Sequence, residues 1–248
     1  MERRSGGRRT ATVVATLLAA ALGYLFTTGL FARDPLTLFA ASGRRAGITA
    51  VYYSGDAGLR FGMGPVTSRA LAAHGIPVIG VNSATLFRFH HSRAETEAAI
   101  AATVRDGSRQ AAGDRLVLIG QSYGADVLAT GLAALPPALR ARVAAVILVV
   151  PGADVFFRAD PSGLLYATAP DSDGRASVRA LTWAPLTCIY GAKEPDSACP
   201  GLRAPNQAAV PLPGGHFLSR DTGALLRQVL AAIARATDRH GATTPLPA

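Results

Sequence analysis

Residues 120–124 read Gly-Gln-Ser-Tyr-Gly, a G-x-S-x-G pattern with Ser122 at its centre. A serine so placed can attack a carbonyl carbon if a neighbour takes its proton, because a hydroxyl at its ordinary pKa is a weak nucleophile. The five letters alone are modest support in a chain with 26 glycines. Their flanks discriminate better. The apolar run "RLVLI" precedes the motif and the helical stretch "ADVLATGLAAL" follows it. This is the strand-turn-helix elbow that lifts a serine hydroxyl above a sheet, with glycines where side chains would collide with backbone. The plainer alternative is a serine that only caps a helix.

The base must come from five histidines. His74 precedes Gly75 at a helix end, His90 and His91 share a loop, and His240 lies in the tail. His216, in "VPLPGGHFL", follows an apolar run and two glycines and precedes the last helical stretch. A doubly wound sheet presents its base on such a loop at the carboxyl edge, so His216 is the expected partner. The orienting acid should lie between serine and histidine, after a strand. "LTCIYGAKEPDSACP" offers Glu194, favoured by spacing, and Asp196, favoured slightly overall by residue type; Asp154 is a weaker third choice. For a developing oxyanion, the Tyr123 N–H follows the nucleophile, and a second N–H is expected around Asp56 in "YYSGDAG". Asp56 reads equally well as a turn residue. The histidines and cysteines lack metal-ligand spacing, and no phosphate-binding G-x-x-x-x-G-K-[ST] occurs, so neither metal nor cofactor is expected.

These residues need a scaffold. Runs at 48–54, 76–82, 115–120, 144–150 and 186–191 are nearly continuous in apolar and β-branched residues, the pattern of strands buried on both faces. Helical stretches at 64–75, 92–113, 124–143 and 220–240 alternate with them. The fold class is therefore α/β, a mostly parallel sheet with helices on both faces. Ser92 followed by Glu95 predicts a capping box, and Pro136-Pro137 predicts a break with one further helical turn. Within 154–181, "DVFFRA" and "GLLYAT" suggest a small inserted hairpin.

Residues 10–32 carry no charged side chain and as a helix would span about 34 Å, enough for a bilayer core. Four arginines precede them, which places their start in the cytoplasm. The segment is a transmembrane anchor or a signal peptide cut after Ala32 or Ala40; its length favours the anchor. Either exports the rest. Much of the formal charge of +9 lies near this segment, and no basic run with interleaved aromatics follows, so nucleic-acid binding is not expected. Two cysteines in an exported chain, Cys188 and Cys199, are expected to pair around the acid's loop. The length, 248 residues, suits one domain: an anchor or signal at 1–33, a link at 34–47, the α/β domain at 48–240 and a flexible tail at 241–248.

"YYSGDAG", "PVIGVNS", "GQSYGADV", "CIYGAKEPDSACP" and "LPGGH", in that order, resemble the successive signatures of the VirJ/AcvB-type bacterial virulence proteins of the α/β-hydrolase superfamily. The resemblance covers roughly 48–240. It implies Ser122 as nucleophile, His216 as base, an acid in the Cys-flanked loop, and a periplasmic location linked to virulence or type IV secretion. Some AcvB-type members hydrolyse lysyl-phosphatidylglycerol. The sequence departs from the pattern in its loop Gly-Asp-Ala-Gly-Leu, where further glycine and an aromatic are usual, and in Phe217, where a second histidine is common.

The expected function is thus a periplasmic serine esterase, anchored in or near the inner membrane, for which aminoacyl-phosphatidylglycerol is a fitting substrate. A cationic aminoacyl group needs a carboxylate; Asp56 and Asp126 are the candidates, although Asp126 reads more readily as a helix-face ion pair. The alternative is a hydrolase-fold accessory protein that binds secretion-system components without chemistry.

Overall fold

All five apolar runs become strands, and others join them. The computed structural model describes residues 3–241. Its strands are β1 (Leu36–Phe39), β2 (Ile48–Tyr53), β3 (Val78–Val81), β4 (Arg115–Gln121), β5 (Val143–Val149), β6 (Asp154–Val155), β7 (Ser172–Asp173), β8 (Leu186–Gly191) and β9 (Gln207–Leu212). The main sheet runs β1-β3-β2-β4-β5-β8-β9, with β1 antiparallel to β3 and every other pair parallel. The helices are α1 (Arg3–Thr27), α2 (Gly64–Ala73), α3 (Ser83–Leu86), α4 (Arg93–Gln110), α5 (Tyr123–Gly131), α6 (Pro137–Arg140), α7 (Gly174–Arg179) and α8 (Thr222–Gly241).

Burial on both faces explains the continuous apolar runs. Along β2, Ala50 and Tyr52 join Leu71 of α2 and Val229 and Ile233 of α8 in one core. Val51 and Tyr53 point the other way, into a second core with Ile100 of α4 and Leu128 of α5. The capping box forms: Ser92 Oγ accepts from the Glu95 N–H, and the Ser92 N–H donates to Glu95 Oε2 at 2.7 Å. Pro136-Pro137 separates α5 and a short 3₁₀ turn from α6 as expected.

Three local readings change. Part of the 34–47 link is strand β1, which pairs Leu36 with Val81 and Phe39 with Val78; an edge strand of four residues is too short to announce itself by periodicity. The apolar run before His216 is also a strand, β9, bonded to β8. The insertion at 154–181 is present, but "GLLYAT" does not pair with "DVFFRA". Leu164–Ala167 forms a 3₁₀ turn, and the short ladder joins Asp154 to Asp173 and Val155 to Ser172. The expected flexible tail, beyond Gly241, lies outside the described residues.

Residues Thr10–Thr27 of α1 are long and apolar enough to cross a membrane, and none of that window is buried against the domain.

Candidate active site

Ser122 sits between β4 and α5 with φ 53° and ψ −129°. That left-handed backbone is costly for a non-glycine residue, and it persists because its neighbours hold it. The Ser122 N–H donates to Val149 O at 2.8 Å, and Ser122 O accepts from the Ala125 N–H at 2.7 Å. The flanking glycines are steric necessities. A Cβ on Gly120 would lie 2.6 Å from Ala125 Cα, and one on Gly124 would lie 2.3 Å from Ser54 O. The strand-turn-helix pattern thus becomes an elbow that exposes the hydroxyl.

Ser122 Oγ lies 2.8 Å from His216 Nε2, and His216 Nδ1 lies 2.5 Å from Glu194 Oε1. The loops that carry His216 and Glu194 leave the adjacent ends of β9 and β8 and are tied by backbone. The Lys193 N–H donates to Gly214 O at 2.9 Å and the Ala192 N–H to Leu212 O at 2.8 Å. Gly215 packs so closely that a Cβ on Gly191 would meet its oxygen at 2.2 Å. Cys188 and Cys199 form a disulfide that brackets the acid's loop.

The slight lean toward Asp196 is corrected by this geometry. Glu194, only 7% exposed in its side chain, meets the imidazole, while Asp196 is exposed and contributes its carbonyl, which accepts from the Ala153 N–H. Spacing decides because Glu194 lies in the tight turn where its N–H donates to Gly191 O, so its side chain starts beside the end of β8. Asp154 is exposed within the β6–β7 ladder.

Tyr123 opens α5, so its N–H is among the first-turn donors without an intrahelical acceptor. The loop of residues 54–58 approaches the serine: a Cβ on Gly55 would be 3.5 Å from Ser122 Cβ. Asp56 in that loop accepts from the Tyr166 hydroxyl at 2.8 Å. Burial pushes its carboxyl above the ordinary carboxylate range, with the Tyr166 and Ala57 hydrogen bonds acting the other way. Asp126 is neither in the cleft wall nor in an ion pair with arginine among the described residues. Its Oδ1 accepts from the Gly152 N–H at 2.8 Å, which corrects both earlier readings of that side chain. Burial pushes it well above the usual range, opposed by the Gly152 N–H and reinforced by the Asp56 and Glu194 charges.

A cleft of about 510 Å³ opens over Ser122 and His216, walled by Phe61, Met63, Phe217 and Gln121, with Asp56 and Arg220 also in its lining. Sequence reasoning did not single out Tyr166, Gln121, Phe61 or Arg220. Gln121 comes with the motif as the neighbour of Ser122, whereas only the fold gathers Tyr166, Phe61 and Arg220, whose separations along the chain follow no motif.

A family model described as "Bacterial virulence protein (VirJ)" matches residues 47–237. The chain belongs to the VirJ family. This VirJ-type chain also shares the α/β-hydrolase fold of several solved structures. The esterase domain of a Rhodothermus marinus protein superposes with TM-score 0.55 at 19% identity, covering 81% of this chain and 91% of that one. An α/β serine hydrolase homologue from Coxiella burnetii gives TM-score 0.57 at 15% identity over 79% and 89%. A Xanthomonas campestris α/β serine hydrolase without a lid gives 0.53 at 18% over 81% and 88%. No curated protein sequence matches this VirJ member.

Proposed function

We propose that the chain is a serine esterase of the periplasm and that its substrate is an aminoacyl ester of phosphatidylglycerol such as lysyl-phosphatidylglycerol. The observation that carries the reading is the unbroken hydrogen-bonded path from Ser122 Oγ through both His216 nitrogens to Glu194 Oε1, at the base of an apolar cleft. Ser122 attacks the ester carbonyl while His216 Nε2 takes its proton, and Glu194 holds the ring and balances the imidazolium charge. The Tyr123 N–H, with an N–H of the 54–58 loop, receives the negative oxygen. His216 then gives its proton to the leaving alcohol, and a water deprotonated by His216 releases the acyl group from Ser122.

The cleft's chemistry supports the substrate. Its carboxylate, Asp56, suits the ammonium of an aminoacyl group, Arg220 suits a phosphodiester, and Phe61, Met63 and Phe217 suit apolar parts. The disulfide and the apolar α1 agree with a site outside the cytoplasm. The family's description as virulence proteins is equally compatible with a second reading, a hydrolase fold that binds secretion-system proteins without chemistry.

A fluorophosphonate label separates the two. The wild-type chain takes it up and Ser122→Ala does not; equal labelling of both, or of neither, overturns the esterase reading. In vesicles that contain lysyl-phosphatidylglycerol, the labelled form's parent enzyme releases lysine. Intact lipid with a working Ser122 would remove the substrate and leave the esterase.

A further inference from the structure

The end of α1 and the segment after it are built into the domain beside the cleft. Thr28 is fully buried, and its carbonyl accepts from Asn82 Nδ2 at 2.9 Å. Gly29 O accepts from the Thr85 hydroxyl at 2.7 Å, and Ala32 O from Arg88 Nη2 at 2.6 Å. The loop of the cleft packs on the same backbone, since a Cβ on Gly58 would reach within 2.2 Å of Thr28 O. Further on, the Asn82 N–H donates to Pro35 O at 2.7 Å, and β1 closes the edge of the sheet on β3. A cut after Ala32 would remove Thr28 and Gly29, the acceptors of Asn82 Nδ2 and the Thr85 hydroxyl, and a cut after Ala40 would also remove β1, the edge partner of β3.

The ring of Tyr24, in the last turn of α1, lies tilted with its centroid 5.7 Å from that of Phe61, a wall of the cleft, and its hydroxyl donates to Pro161 O at 3.2 Å in the insertion. A tyrosine at that point of a membrane helix lies at the headgroup level. The cleft mouth is therefore at most a side chain away from that level. Phe61 (41%) and Phe217 (73%), both of the cleft lining, are exposed apolar side chains, and so is Leu164 (79%), three residues beyond Pro161 in the insertion. Exposed aromatic and leucine side chains beside basic residues, here Arg60 and Arg220, are what an interfacial lipid contact requires.

We infer that α1 is not removed, and that it holds the mouth of the cleft in the headgroup layer of the leaflet it leaves, with Phe61, Leu164 and Phe217 entering the lipid. This deepens the esterase reading, because an ester in that leaflet reaches Ser122 without crossing water, but it does not depend on catalysis. Every probe can be carried by Ser122→Ala, so its failure and the failure of the esterase reading are distinguishable.

The test uses the full chain. The mass of protein extracted from the host's inner membrane should include α1; a mature chain that begins at Arg33 or Ala41 overturns the inference. The same protein, with its disulfide intact, is then labelled with a fluorophore at Leu164→Cys, Phe217→Cys or Ala138→Cys. The last is an exposed position on α6, which precedes β5 and so lies at the opposite edge of the sheet. In phosphatidylethanolamine and phosphatidylglycerol vesicles with a nitroxide lipid at a shallow acyl carbon, positions 164 and 217 should be quenched and 138 should not. Loss of quenching at either rim position, or equal quenching at all three, overturns the orientation.

Discussion

The two sides of the cleft are built differently. On one side, Ser122, Glu194 and His216 leave the carboxyl ends of β4, β8 and β9, and backbone hydrogen bonds tie the acid loop to the base loop and, through Asp196 O, to Ala153. On the other, residues 54–64 meet the insertion and the end of α1 through side chains: Asp56 with Tyr166, and Phe61 with Tyr24. Backbone bonds between strand ends hold atoms to tenths of an ångström, as proton transfer needs. Side-chain contacts between loops fix a shape and a polarity and leave residue types free to vary. Substitutions on the first side should change the rate of chemistry, and substitutions on the second should change which ester is taken.

The largest effect tests that division at the acid. Glu194→Gln should lower kcat/KM for a small neutral ester on the order of 10³–10⁴-fold, since the amide cannot balance an imidazolium. Asp196→Asn should leave it within about twofold, because its carboxylate takes no part. A loss at Asp196 with none at Glu194 would break the assignment of the rigid side. Next, replacing both Cys188 and Cys199 by alanine should cost about 3 kcal/mol in urea denaturation, the entropy of freeing a short loop. At low temperature the esterase rate should largely survive, because the Lys193 and Ala192 hydrogen bonds still join the loops; an unchanged urea midpoint would deny the bridge a mechanical role.

The smallest effect belongs to the mouth. Asp56→Asn should raise KM for a cationic aminoacyl ester by about tenfold, the size of a lost charge-assisted hydrogen bond, and leave a neutral ester unaffected. Because burial raises the Asp56 carboxyl, the wild-type preference for the cation should hold where the group is ionised and fade as pH falls through that raised value. The Asn variant should show no such pH dependence of the preference. Equal KM changes for both esters would mean that Asp56 only shapes the loop with Tyr166.

Much of this molecule was legible along the chain. The five buried strands, the capping box, the proline break, the elbow around Ser122 and the apolar helix are each contained in a few turns or one strand of sequence, where steric and hydrophobic rules act between neighbours. The edge strand β1 and the pairing within the insertion were not, because two to four residues carry no usable periodicity and are held by partners elsewhere. The acid was narrowed to one loop by chain order, yet its choice rested on which carboxylate faces His216.

Local sequence thus determined that Ser122 would stand on a glycine-flanked turn and that an apolar helix would precede the domain. Tertiary structure decided that His216, 94 residues away, reaches Ser122, that Glu194 rather than Asp196 reaches His216, and that Tyr24 lies against Phe61. The physical reason is range. The pattern of apolar residues and glycines that suits a strand or a tight turn is read between neighbours along the chain, whereas hydrogen bonds and ring contacts between distant segments exist only once the sheet has fixed where their loops begin.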